Sequence, residues 1–149
     1  MPDPNAIVDA VVAVLRAEAS TLGLARVENY RPFTVDAQDT PFAYVWISSK
    51  HEQRMGLGGP AGGTKRGTSQ VVVEIEWSSS DPATAEPQFR TLVENVARCV
   101  GTHQTLGGVV QRYGEDLDIR HNPPQGDSQA TRAHYFASIT SPAMQEYAP

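Results

Sequence analysis

The sequence is poor in the features that most often identify a cell compartment or a charged partner. Its 149 residues include one cysteine, Cys99, which cannot form an intrachain disulfide, so nothing indicates an oxidising compartment. No charged-then-apolar leader opens the chain and no apolar run could span a bilayer, which predicts a protein made in the cytoplasm with no membrane partner. The formal net charge is -5, which argues against binding to nucleic-acid phosphates.

Catalytic and metal-binding patterns are also missing. The histidines, at positions 51, 103, 121 and 134, show no ligand spacing such as HExxH. Asp116, Asp118 and His121 form the nearest metal-like group, which we interpret as a solvated turn with alternating acids. Cys99 lies beside the apolar stripe of a predicted helix with no base near it in sequence, which favours a small buried side chain. The sequence therefore predicts no enzyme activity, no catalytic residue, no metal and no cofactor.

Two strands and the glycine-rich segment between them dominate the chain. The first begins at Phe42 with FAYVWIS, and its evenly apolar start predicts burial on both faces. The second, VVVEIEW, ends at Trp77. Its residues alternate between an apolar face and a face that mixes apolar and acidic side chains. Residues 55–67 between them carry six glycines and a proline, too long a stretch for a simple hairpin loop. We expect a flexible arm that orders against a partner. A phosphate-binding loop is excluded because GxxxxGK[ST] is absent and the segment leads into a strand.

Helical spacing of apolar residues occurs twice. It predicts one helix from Asn5 to Leu22 with Gly23 as its C-cap. It predicts a second helix ending at Gly101, with Pro87 in its first turn, because a proline deeper in a helix would cost roughly 3 kcal/mol. The remaining segments predict strands at 25–30 and 133–140, extended chain at 109–122 interrupted at 114–118, a loop at 122–128 and a loose tail at 141–149.

These elements predict a single α+β domain over residues 1–149. Each helix has one apolar stripe, so both are expected to pack on one face of a mostly antiparallel sheet. Trp46 and Trp77 are expected in core or cross-strand packing. The opposite sheet face, with Glu74, Glu76 and His134, could meet water or another subunit.

The order of these elements resembles the tail terminator (tail completion, gpU-like minor tail) proteins of long-tailed bacteriophages. Nearly the whole chain carries the resemblance, through PNAIVDAVVAVLRA, FAYVWIS, the long arm, VVVEIEW, QFRTLVENVARCV and HYFASIT. The resemblance implies a virion protein whose six copies form a ring that caps the head-proximal end of the tail tube and stops its polymerisation. Its partners would be other copies of itself, the tail tube protein and a head-completion or stopper protein. Genomic DNA would pass through the ring without sequence-specific binding.

The same resemblance suggests two contact regions. Arg54, Lys65 and Arg66, in or beside the arm, are expected to contact a neighbouring subunit or the tube. Asp116 and Asp118 are a weaker candidate for a turn that faces the head connector. Neither region follows from composition; both depend on the resemblance.

Three other functions fit the sequence. Head-closure or stopper neck proteins have similar size and share some architecture with the tail terminators. A small α+β ligand-binding domain or enzyme could build a pocket between the arm and the sheet from His51, Glu74 and His134. A cytosolic adaptor could bind a peptide at its sheet edge, although no motif supports it.

Overall fold

The computed structural model describes residues 3–54, 63–126 and 131–147. It has the predicted α+β architecture, with helices on one side of a seven-stranded, mostly antiparallel sheet. The helices are α1 (Pro4–Ala17), α2 (Ala19–Leu22) and α3 (Pro82–Thr102). The strands are β1 (Arg26–Glu28), β2 (Phe42–Arg54), β3 (Lys65–Ser79), β4 (Arg112–Tyr113), β5 (Asp118–His121), β6 (Gln125–Gly126) and β7 (Ala133–Tyr147). No helix among the described residues is both long enough and apolar enough to cross a membrane.

Three long strands, β2, β3 and β7, form the centre of the sheet. β3 lies between the other two and pairs antiparallel with both over most of its length. Along its other edge, β7 pairs in turn with three short strands, β6, β5 and β4. β1 is the exception to the antiparallel pattern, because it runs parallel to the start of β2.

The core lies between α1, α3 and one face of this sheet, as predicted. Alternate residues of β3 point towards the helices, and Val71, Val73 and Ile75 are fully buried there. The apolar stripes of both helices supply the opposite wall: Ile7, Val11, Val12 and Leu15 from α1, and Ala85, Phe89, Leu92, Val93, Val96, Ala97 and Val100 from α3. Cys99 is buried beside this stripe, which confirms its predicted burial.

The helix ends follow the sequence signals with two differences. Asp3 caps α1 by accepting a hydrogen bond from the Asn5 amide, and Gly23 adopts the left-handed conformation after α2, as predicted. The first helix is nevertheless divided, because Glu18 leaves helical geometry between α1 and α2. The prediction for Pro87 is wrong. α3 begins at Pro82, whose fixed φ suits the first helical position, and Pro87 therefore lies inside the helix.

The other face of the sheet, which we call the open face, carries no helix. It includes Trp46, which is 42% exposed, so of the two predicted positions the core is excluded and the cross-strand position remains. Trp46 lies opposite Val72, on the face away from the helices, because the two residues fall between the inward-facing positions of β2 and β3. Trp77 is packed as predicted, with its ring 6.3 Å from that of Phe89.

The long strands continue further than their sequence predicts. The expected arm at 55–67 is shorter, because Lys65, Arg66 and Gly67 belong to β3 and pair with the end of β2. The tail at 141–147, expected to be loose, is the second half of β7 and pairs with β3 throughout. Gln125–Gly126 is a short strand inside the predicted loop. Residues 55–62 of the arm, 127–128 of the loop and 148–149 of the tail lie outside the described residues.

Candidate assembly surface

The far halves of the three long strands form a ribbon, to whose outer strand β7 the short strand β4 pairs. We call this ribbon the strand extension; it consists of residues 48–54 of β2, 65–70 of β3 and 141–147 of β7. It begins at a bulge in β2 between Ile47 and Ser49, where the register with β3 shifts. All of residues 48–54 are exposed. This polar segment can form a sheet because β3 has a hydrogen-bonded strand on each side.

Ion pairs and hydrogen bonds join the strands of the extension. Arg66 on β3 contacts Glu146 on β7 at 2.8 Å, and the Tyr147 hydroxyl donates a hydrogen bond to Glu52 on β2. Lys50 also lies 3.2 Å from Glu52, and its ammonium group is 5.9 Å from the centre of the Tyr147 ring. The hydrogen bond from Tyr147, followed by that from Lys50, lowers the pKa of Glu52, while the bond to Glu52 raises the pKa of Tyr147. The acids of the extension are therefore already paired within the chain.

Two of the three predicted contact residues, Arg54 and Lys65, lie together and form no ion pair among the described residues. Arg54 and Lys65 are direct cross-strand partners at the last described pair of the β2–β3 hairpin. Within the described part of the chain, neither has a carboxylate within ion-pair distance, but Lys65 is close enough to Glu52 to help lower the pKa of that carboxyl. Arg66 is different, because it lies on the opposite face of β3 and is neutralised by Glu146. The structure thus brings Arg54 and Lys65 into one cationic pair and separates Arg66 from it.

One edge of β2 is unpaired for most of its length. β1 covers only Phe42 to Tyr44, and no described strand pairs with that edge from Val45 to Arg54. Its backbone N–H and C=O groups are therefore available to another strand, and Trp46 lies beside them on the open face. Arg54 of the cationic pair lies at the end of this same edge strand.

Two carboxylates, the half-buried Glu74 and the buried Glu76, lie on the open face nearer the middle of the sheet. Glu74 accepts a hydrogen bond from the Tyr44 hydroxyl, and burial, then the neighbouring Glu76, raises the pKa of Glu74. One oxygen of Glu76 is held by Arg31 at 3.1 Å, while the other is buried with no partner among the described residues. Arg31 lies on the irregular segment between β1 and β2, which also carries the fully exposed Phe33.

The second predicted contact region lies away from the strand extension. Asp118 is the first residue of β5 and forms an ion pair with Arg120 at 2.9 Å, with both side chains more than half exposed. Asp116 is exposed in the turn that precedes β5. The structure therefore places these acids at the opposite side of the sheet from β2, and does not bring them together with Arg54 or Lys65.

The residues of the alternative ligand pocket do not meet. His51 and His134 lie on the same face as Glu74, opposite Thr68 and Ser78 respectively. Along β3 these partners lie six and four residues from Glu74, which corresponds to roughly 20 Å and 13 Å at the rise of a strand. A small ligand could not contact all three side chains.

The sequence also missed residues that build the strand extension. Glu146 and Tyr147 fall in the segment 141–149, which was predicted to be a loose tail. The sequence did contain a sign that the strand continues. Ile139, Ser141 and Ala143 alternate in the same way as the earlier inward-facing positions of β7.

Comparisons with known proteins give a remote structural likeness. No protein-family model and no curated protein sequence matches the chain. Among the solved structures similar to it is a chain from the virion of a native gene transfer agent particle, with 14% sequence identity and a TM-score of 0.39. The likeness covers 91% of this chain and 92% of the other. At that score the two chains differ too much for a function to be transferred, so the function must be argued from the surfaces described above.

Proposed function

We propose that this chain is a structural virion protein that forms a ring on the end of a phage-type tail tube. The ring stops polymerisation of the tube and presents the surface that joins the head. The observation that carries the proposal is the strand extension, which combines an unpaired strand edge with two cations, Arg54 and Lys65, that form no ion pair among the described residues.

The unpaired edge of β2 is the first support. A long strand edge that is exposed in a monomer can pair with other chains, and natural proteins usually blunt or cover it. In a closed ring each copy uses one surface to contact a different surface of the next copy, so every edge is covered and association ends. The residues from Val45 to Arg54 provide such an edge, with Trp46 as a large apolar side chain beside it.

The charges are the second support. Because the chain carries a net charge of -5, another copy of it is on average an acidic partner for the Arg54–Lys65 pair. The exposed acids Asp116 and Asp118 lie at the other side of the sheet, where they could face a different partner such as the head connector. A net acidic ring would also let DNA pass without binding tightly to its phosphates.

The proposal assigns no catalysis to the chain and places it in the virion at the head-proximal end of the tail. It includes a homohexameric ring, with the tail tube protein and a head-completion or stopper protein as partners. The ligand-binding alternative loses its support because His51, Glu74 and His134 lie far apart along the sheet. A head-closure protein would use the same kind of edge, so the experiment must separate these two functions.

Electron microscopy of particles from the parent phage or phage-like element, with a stop codon at Gln53, makes that separation. We expect tails of uncontrolled and excessive length that are detached from filled heads. Tails of normal length beside leaking heads would instead assign the chain to head closure. Intact infectious particles would rule out both functions. A strain with a synonymous codon at Gln53, and complementation by the wild-type chain, serve as controls.

A further inference from the structure

A carboxylate, a thiol and an imidazole meet in the helical layer, on the other side of the sheet from the open face. One ligand atom from each of Glu18, Cys99 and His103 lies within 4.8 Å of the other two. His103 Nε2 is 3.8 Å from Glu18 Oε2, and the Cys99 thiol donates a hydrogen bond to that same oxygen. None of these residues belongs to the strand extension.

The fold explains why the three side chains converge. Cys99 and His103 are four residues apart at the end of α3, so they project from the same side of that helix. Glu18 comes from the interruption between α1 and α2, where it leaves helical geometry. It is 81 residues from Cys99 in sequence, so only the packing of the helices creates the group.

We propose that Glu18, Cys99 and His103 bind a divalent cation of the zinc class. Thiolate, imidazole and carboxylate are the protein ligands that zinc uses, and three such ligands leave a fourth position open. Bond lengths of about 2.0–2.3 Å in a tetrahedral site place the donor atoms about 3.3–3.6 Å apart. Small rotations of side chains at a partly exposed site would bring the observed distances into that range.

Two features of the site favour a cation, and one basic side chain, Arg98, lines the same cavity. His103 is the one basic group within ion-pair distance of Glu18 in the described ranges, and it is positively charged only when protonated. The last carbonyl groups of α3 add partial negative charge at the same end of the helix. On binding, the cation replaces the proton of the Cys99 thiol, which is released to solvent, and the sulfur becomes a thiolate ligand.

Titration of the metal-free full chain with Co²⁺ tests the proposal, because a cobalt–thiolate bond gives a charge-transfer absorption that carboxylate or imidazole ligands do not. We expect that absorption to saturate at one Co²⁺ per chain and to disappear on addition of Zn²⁺. Zinc affinity is then measured by competition with a chromophoric chelator. We expect Cys99→Ser and His103→Gln each to weaken it at least about tenfold, by loss of a ligand.

The controls separate ligation from folding. His103 is partly exposed, so His103→Gln should retain the fold even if the substitution at buried Cys99 does not, and thermal melts without metal check both variants. His121→Gln changes a histidine outside the group and should bind Zn²⁺ as the wild type does. Absence of the cobalt–thiolate absorption in the wild type, or equal zinc affinity in His103→Gln, would overturn the proposal.

Discussion

Arg54 and Lys65 face each other across the last described pair of the β2–β3 hairpin, and neither has a carboxylate within ion-pair distance in the described part of the chain. Like charges directly opposite each other on neighbouring strands destabilise a sheet. Glu52 offsets part of this repulsion at Lys65, and we interpret the pair as a contact for a partner outside the chain.

The double variant Arg54→Gln with Lys65→Gln should separate these two roles. We expect a melting temperature equal to or slightly above that of the wild type, since the repulsion is removed, together with loss of assembly in complementation of the stop-codon strain. The matched control is Arg90→Gln with Arg98→Gln, which removes two cations from α3 and should complement normally. Normal complementation by the hairpin variant would exclude the pair from the contact surface.

A stop codon at position 142, which removes Pro142 and all later residues, tests whether the end of β7 contributes to stability. This truncation removes the partners of residues 65–70 on β3 and the fully buried Ala143. We expect the free energy of unfolding to fall by roughly 3 kcal/mol or more, since a central strand becomes an edge and apolar surface is uncovered. Urea unfolding measures the loss, and truncation at Ala148 is the control. A truncated protein as stable as the wild type would show that the predicted loose tail was the better description.

Gly114 approaches the end of α3 so closely that no other residue fits. Its φ is +79°, and a Cβ there would lie 2.7 Å from the carbonyl oxygen of Val100. We expect Gly114→Ala to lower the free energy of unfolding by about 3 kcal/mol, through backbone strain and steric overlap together.

Gly107→Ala is the matched control for that clash. Gly107 also has a positive φ, +69°, but its added Cβ would meet nothing within 4 Å. Backbone strain alone should cost about 1 kcal/mol. Equal losses for the two variants in urea unfolding would mean that the contact with Val100 relaxes freely.

Glu74 should make stability depend on pH in an identifiable direction. Its pKa is raised in the folded state, mainly by burial, so the folded protein favours the protonated carboxyl. The stabilisation is complete below the unperturbed value of 4.5 and is lost as the pH rises through the folded-state pKa. We therefore expect Glu74→Gln to be more stable than the wild type at pH 7, with the difference shrinking as the pH falls through the folded-state pKa and no further change below pH 4.5.

Chemical unfolding of wild type and Glu74→Gln across this pH range measures the effect. Glu94→Gln on the exposed side of α3 is the control and should show no such change. A Glu74→Gln variant that is less stable than the wild type at pH 7 would mean that the ionised carboxylate contributes favourably through its contact with Tyr44.

Periodicity in the sequence was enough to predict the helices and strands that bury one side each. The apolar stripes of α1 and α3, and the alternation in β3, predicted the α+β class and the packing of both helices on one sheet face. Burial of one side of each element leaves a regular trace in the sequence, whatever its distant partners are. Gly23 could likewise be assigned, because a helix C-cap depends on a single residue's freedom to adopt a positive φ.

Only the tertiary structure decided where the polar strands pair and which side chains meet. Lys65 and Tyr147 are extended because they are Cα partners on β3 and β7, and nothing in either polar segment alone favours a strand. The Arg54–Lys65 pair needs the register of the hairpin, and the group at Glu18, Cys99 and His103 needs two helices to pack. Contacts between residues far apart in sequence leave no local period, so they become visible only when the chain is folded.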